Sequence, residues 1–296
     1  MNIHTFSIVT GGTACNARCP FCISRMTGNM DVQNHPTVNW RNLDKACRLA
    51  KRAGASTAML TGKGEPTLWS GLITEYIRRL DDYFPIIELQ TNGLLLPAHL
   101  HTGKVAPSMG LLNEWYDLGL TTIAISVVHW DSQKNKEIYT PNREYMNLPA
   151  LIKDLHGIGF TVRLCCVMAG GYIDDFPSTK KMIQFARNNK VEHLTFTPVN
   201  SPGFSSDSEA EQWVSTRLVD QFAMVEPIIH GLEMECAVET MRLPHGARVF
   251  DCDGQNVCFN NCLNAEPADL QSIRNLIFFP DGRVRHKWDA EGSIIF

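Results

Sequence analysis

No apolar run in this 296-residue chain approaches the ~18 residues needed to cross a bilayer, so a transmembrane helix is excluded. The first ten residues lack both a basic region and a long apolar core, so they do not form a secretory signal, and a cytoplasmic location is expected. Long blocks of like charge are also missing. With 27 basic against 31 acidic residues the net charge is −4, which gives no reason to expect nucleic acid or an anionic membrane as partner. There is no internal repeat, no low-complexity tract and no HExxH-like histidine pair. What remains is a soluble globular chain, 44% hydrophobic and 20% charged, with ample core.

Short β-branched or apolar runs alternate with longer amphipathic stretches. Strands are predicted at about Thr5 to Thr10, Thr57 to Thr61, Ile86 to Thr91, Thr121 to Val128, Phe160 to Met168 and His193 to Val199. The clearest helices should run Asn42 to Ala53, Leu72 to Tyr83, Leu111 to Leu118, Leu148 to Ile158, Thr179 to Asn189 and Glu209 to His230. Asn39 or Asn42, Ser178 and Asp207 are candidate caps, and Gly54, Gly119 and Gly159 sit where helices should stop. Strand and helix alternating at this spacing imply parallel strands with right-handed crossovers. The expected fold is α/β, a partial (β/α)6 TIM-like barrel over residues 1–230, with a small hairpin-bearing extension over 231–296. Chemistry is then expected at the C-terminal strand ends.

Ten cysteines in a reducing compartment suggest metal ligands or reactive thiols rather than disulfides. Three of them lie within Thr13-Ala-Cys15-Asn-Ala-Arg-Cys19-Pro-Phe-Cys22, on the loop leaving the first strand. Three close thiolates can hold three irons of a cubane cluster and leave the fourth iron open. A structural zinc site would want a fourth ligand nearby, and none is evident.

The CxxxCxxC spacing, with Asn16 after the first Cys and Phe21 before the third, resembles the signature of the radical S-adenosylmethionine (SAM) superfamily. The resemblance implies a [4Fe-4S] cluster on Cys15, Cys19 and Cys22 whose open iron is chelated by the amino and carboxylate groups of SAM. In that family an electron from the cluster cleaves the sulfonium, giving methionine and a 5′-deoxyadenosyl radical that abstracts hydrogen from the substrate. It also implies a reducing partner such as a flavodoxin or ferredoxin, and places Phe21 near the adenine.

Thr61-Gly-Lys-Gly64-Glu65-Pro66-Thr67 resembles the family's GGEP motif, with Lys63 as the departure. On that match Gly64 and Glu65 contact the SAM amino group, a carboxylate at a strand end being suited to an ammonium. Thr91-Asn92-Gly93 resembles the family's TNG turn, and Ser126 falls where the family often contacts ribose or methionine; plain strand-end capping is the alternative for both Asn92 and Ser126. Arg163 either faces the cavity and binds a carboxylate or points outward to solvent. Of the adjacent pair Cys165 and Cys166, one must face the interior. A thiol there, assigned to Cys166, would donate hydrogen to a substrate radical, against packing as a small hydrophobe.

A second group, Cys236, Cys252, Cys258 and Cys262, precedes Ile277-Phe-Phe-Pro-Asp-Gly-Arg-Val284, which resembles the hairpin of auxiliary-cluster (SPASM or Twitch) extensions, including that of the molybdopterin-precursor cyclase. The usual Cys after that hairpin is replaced by the neighbourhood of His286 and Lys287. Three alternatives stand: a second iron-sulfur cluster, a zinc site, or free thiols. The cyclase's terminal Gly-Gly is absent, the chain ending Ser293-Ile-Ile-Phe296, which points away from that particular enzyme.

Functionally the alternatives are a radical SAM enzyme, a non-catalytic iron-sulfur carrier and a zinc-bearing binding module. A carrier needs neither an open iron nor Glu65. The first strand starts close to Met1, which leaves no room for a leader-peptide domain and favours a small molecule (nucleotide, sugar or cofactor precursor) over a peptide substrate.

Overall fold

The structure, a computed structural model, describes residues 2–27, 37–100, 110–142, 144–201, 205, 207–235, 237–260, 272–288, 290 and 292–296. Among them the strands are β1 (Asn2–Val9), β2 (Thr57–Thr61), β3 (Ile86–Thr91), β4 (Thr122–Val127), β5 (Thr161–Met168), β6 (His193–Pro198), β7 (Ala237–Arg242), β8 (Arg248–Cys252), β9 (Gln255–Phe259), β10 (Ser272–Phe278) and β11 (Val284–Arg285). The helices are α1 (Ile23–Met26), α2 (Trp40–Arg52), α3 (Ser70–Leu80), α4 (Leu96–His99), α5 (Leu111–Asp117), α6 (Ser132–Tyr139), α7 (Leu148–Ile158), α8 (Phe176–Asn188), α9 (Ser208–Ser215) and α10 (Glu226–Glu235).

All strands join one sheet in the order β11-β10-β1-β2-β3-β4-β5-β6-β9-β8-β7. Strands β1 to β6 are parallel and sequential, as the strand-helix alternation predicts for a partial barrel. Residues after Gly231 do more than hang a hairpin on this barrel. They extend the sheet at both edges, β10 parallel to β1 and β9 parallel to β6. Arg274 Nη2 on β10 reaches Asn260 Oδ1, just past β9, at 3.5 Å, so the two flanks of the sheet approach each other.

Strand alternation sorts the side chains into two layers. On β5, Val162, Leu164, Cys166 and Met168 are buried against the helices, while Arg163, Cys165 and Val167 occupy the interior face. The helix-facing core includes Phe6, Leu60, Leu89, Ile125, Leu164 and Phe196 from six successive strands, closed from outside by Tyr76, Trp115 and Leu155.

The helix ends follow local chemistry. Asn39 and Asp207 accept from Asn42 N and Ala210 N at the starts of α2 and α9, and Gly159 ends α7 in a left-handed turn at φ 118°. Ser178 is not the cap of α8; Asp175 is, and Ser178 is its reciprocal partner in a capping box. The single helix expected from Glu209 to His230 is broken. After α9 the chain bonds backbone to backbone with Val199 through Val219, then restarts at Asp220, whose carboxylate accepts from Phe222 N and Ala223 N ahead of a π-turn and α10.

The Pro280-Asp281-Gly282 turn forms the expected hairpin, pairing Ile277 with Arg285 and Phe278 with Val284. It docks on the start of α2: Asn39 N donates to Pro280 O at 2.8 Å and Asn42 Nδ2 to Gly282 O at 3.0 Å. Gly282 has φ 94°, and a Cβ there would lie 2.7 Å from Asn39 Nδ2, whereas Gly254 has φ 84° and open space. Gly254→Ala should therefore cost only backbone strain, about 1 kcal/mol. Gly282→Ala should cost about 2 to 3 kcal/mol in urea unfolding, the excess reporting the lost fit to α2.

Candidate active site

The thiol loop occupies the C-terminal end of β1. Cys22 N donates to Cys19 O at 3.3 Å, and Cys22 sits at the start of α1. Arg25 donates to Cys19 O and pairs with Asp207 at 2.6 Å, tying the loop to α9. Two neighbouring segments hold it further: Glu65 N donates to Ala14 O at 2.9 Å, while at the end of α6 Tyr139 O accepts from Arg18 N at 2.9 Å and Asn142 N donates to Asn16 O at 3.1 Å.

Cys15 is exposed, while Cys19 and Cys22 are half-buried. Although Cys15 keeps exposed surface, crowding by the surrounding loops desolvates its thiol and that of Cys19 and pushes both upward, and nearby Glu65 and the neighbouring thiols of the triad add to this. Such thiols are neutral until metal displaces their protons. Among the described residues no three His, Cys, Asp or Glu are drawn into a closed metal site. The donor set nevertheless fits a three-thiolate cluster: three sulfurs on one short loop, beside a buried amide nitrogen, Asn16 Nδ2, that has no hydrogen-bond partner.

Gly64 is required by the thiol loop itself, since a Cβ there would fall 2.0 Å from Ala14 O. Glu65, 3% exposed, accepts from Thr67 N, Thr67 Oγ1 and Thr91 Oγ1 on Oε1 and from Asn92 N on Oε2. Burial raises this carboxyl against four hydrogen bonds that favour its ionised form. Oε2, with one donor, retains capacity for a ligand ammonium. Lys63 is buried and donates to Thr27 Oγ1 at 3.2 Å.

Asn92 is directed at the thiol loop. Its Nδ2 donates to Asn16 Oδ1 at 2.7 Å and approaches Cys15 Sγ at 3.9 Å, while its Oδ1 accepts from Leu94 N at 3.0 Å. Ser126 lies on the interior face, its hydroxyl 2.7 Å from Tyr139 Oη. Phe21 packs edge-on to Tyr139 and beside Trp213, in a cluster with Val167 and Tyr172. Arg163 faces inward, as one of its two alternatives requires, and the carboxylate it meets is Glu88, at 3.0 Å. Glu88 also accepts from Gln90 Nε2 at 3.0 Å.

Two expectations need correction. Cys166 is fully buried in the helix-facing core, so it cannot donate hydrogen into the barrel; strand parity gives the interior position to Cys165. A shared ligand set for Cys252 and Cys258 also fails. Cys252 is buried among helix-facing residues, while Cys258 lies on the opposite face in register with Thr195. Their sites on β8 and β9 are three ladder positions apart, roughly 10 Å, and face opposite ways. Cys236 and Cys262 lie outside the described residues. The sequence did not single out Asn16, Thr67, Thr91 or Glu88 as members of the site. Asn16 lay inside the cysteine spacing, and Thr67 and Thr91 at the ends of the two motif-like segments, whereas Glu88 carried no signal.

A sequential parallel barrel with three thiols and a buried carboxylate at its strand ends defines a class of metal-cluster enzyme. Residues 9–186 match the Radical SAM superfamily, and the chain belongs to it. Cys15, Cys19 and Cys22, the residues of the superfamily's cysteine spacing, fall inside the matched segment. The chain is 25% identical over 205 residues to GTP 3′,8-cyclase of Aquifex aeolicus (strain VF5); the match covers 67% of this chain and 59% of that enzyme, so it spans under two thirds of the relative's length. Its fold is similar to Streptococcus suis SuiB bound to precursor peptide SuiA, with TM-score 0.59 and 13% identity over 97% of this chain and 60% of that one. SuiB bound to S-adenosylmethionine gives 0.58 and 14%, over 96% and 60%. No helix among the described residues is long and apolar enough to cross a membrane.

Two substitutions separate the roles of the strand-end turn. Gly64→Ala must displace the backbone of the thiol loop, and the reconstituted protein is expected to hold less than half its normal iron while losing about 1 to 3 kcal/mol in denaturant unfolding. Glu65→Gln sets an amide N–H against one of four donors, and about 1 to 3 kcal/mol of stability should be lost before any ligand is added. Unaltered unfolding of Glu65→Gln would show that the network is not structural.

Proposed function

We propose that this chain holds its cluster on Cys15, Cys19 and Cys22 and acts on a small phosphorylated or carboxylated molecule of the nucleotide, sugar or cofactor-precursor kind. When bound, the cluster and SAM supply reductive cleavage of the sulfonium and abstraction of hydrogen from the substrate. The observation that carries the substrate class is the Arg163–Glu88 pair on the barrel's interior face. Arg163 keeps a third of its side chain exposed and has a buried Nε without a partner, so it can turn part of its guanidinium to an anionic substrate while Glu88 holds the rest. Kinship to an enzyme named for GTP supports the same class.

The other residues have supporting tasks. Glu65 Oε2 offers an acceptor for the SAM ammonium, and Gly64 lets the turn approach the thiol loop. Phe21 and Tyr139 form an apolar wall that excludes water near Ser126. A flavodoxin- or ferredoxin-type reductant supplies the electron.

Iron- and sulfide-reconstituted protein, reduced with dithionite under anaerobic conditions, is given SAM with nucleoside triphosphates, sugar phosphates or peptides. An anionic small molecule should stimulate 5′-deoxyadenosine formation at least ~10-fold and, when deuterated, pass deuterium into it. Replacing both charges together, Arg163→Gln with Glu88→Gln, avoids an unpaired buried carboxylate and should raise KM about 10- to 100-fold, the loss of one charge-assisted contact. Stimulation by peptides alone would overturn the substrate class; absence of 5′-deoxyadenosine under all conditions would overturn the activity.

A further inference from the structure

We propose that Asn92 and Asn16 form a two-amide donor pair that hydrogen-bonds the cluster at Cys15 and raises its reduction potential. The inference rests on the assignment of the cluster to the thiol triad. It begins with the orientation of Asn92. An amide can be turned end for end without changing its shape, but here Leu94 N–H donates at 3.0 Å and must meet oxygen, so Nδ2 is the end that faces the thiol loop. Nδ2 has two hydrogens. One is used on Asn16 Oδ1 at 2.7 Å, and the other is directed to Cys15 Sγ at 3.9 Å.

Asn16 adds the second donor. It is 7% exposed, its Oδ1 is occupied by Asn92, and its Nδ2 is buried with no hydrogen-bond partner. A buried N–H left unpaired costs free energy unless something at the site receives it. Beside Cys15 the acceptors a cluster brings are thiolate and sulfide, and hydrogen bonds to cluster sulfur stabilise the more negative, reduced state. Protein contacts alone hold both residues. Their backbones are tied through Asn92 N to Glu65 and Asn16 O to Asn142 N, and their side chains through Leu94 N on Asn92 Oδ1 and Asn92 Nδ2 on Asn16 Oδ1, so the donors are oriented before the cluster is built. Asn92 acts on the cluster sulfur and not on SAM.

The test uses the full chain reconstituted with iron and sulfide, without SAM, and labelled with nitrogen-15 only in asparagine side chains. Pulsed electron paramagnetic resonance of the dithionite-reduced cluster should show coupling to asparagine nitrogen, and this should diminish in Asn92→Ala. In a redox titration Asn92→Ala should shift the reduction equilibrium at least tenfold toward the oxidised cluster, about 59 mV for a one-electron couple. An iron-loaded unmodified protein without asparagine coupling overturns the proposal, as does a variant with full iron and an unchanged potential. If Asn92→Ala fails to load iron, the coupling in the unmodified protein decides alone. An iron-free unmodified protein overturns the cluster assignment itself.

Discussion

A single buried carboxylate joins the loops that make the site. Glu65 accepts one backbone N–H from its own turn, two threonine hydroxyls and the backbone N–H of Asn92, so the ends of β2 and β3 are held to one another through two oxygens. Through Glu65 N–H on Ala14 O and Asn92 on Asn16, the same residue reaches the thiol loop after β1. A carboxylate this deep is costly unless its acceptor sites are filled, and here protein donors fill most of them. The loop carrying Cys15 is therefore held to a scaffold of strand ends, although few of its own residues are in regular structure.

Much of the central barrel is legible in sequence because its cues are local. The runs Thr57–Thr61 and Ile86–Thr91 are largely β-branched or apolar and bounded by turn residues, and Leu148–Ile158 has apolar spacing with a terminal glycine. The flanking strands are not legible in the same way. β9 and β10 pair with β6 and β1 respectively, and Asn2 opposite Ser272 is a pairing that no window along the chain can contain. The break after α9 is hidden for a related reason: Val219 leaves the helix to bond with Val199, a tertiary choice that overrides continuous helical spacing.

At the site, spacing identified the thiols and the Gly64-Glu65 turn, but not the partners that orient them. Thr67, Thr91 and Glu88 are ordinary residue types whose roles come from meeting across strand ends. Cysteine parity was decidable only in part. Adjacent Cys165 and Cys166 must face opposite ways, yet only the register of β5 beside β4 says that Cys165, opposite Ser126, is inside. The same alternation separates Cys252 from Cys258, whose clustering in sequence had suggested a common ligand set.

The pairing of β1 with β10 bears on how the chain is made. During synthesis β1 to β6 can assemble as each βα unit emerges, but the open edge of β1 has no partner until Ser272–Phe278 has left the ribosome, and that of β6 waits for Gln255–Phe259. Loop closure over that separation is slow, and an exposed parallel edge is a template for another chain. The nascent barrel thus passes through a stage in which two strand edges are open to aggregation, and completion of the sheet by β9 and β10 ends that stage.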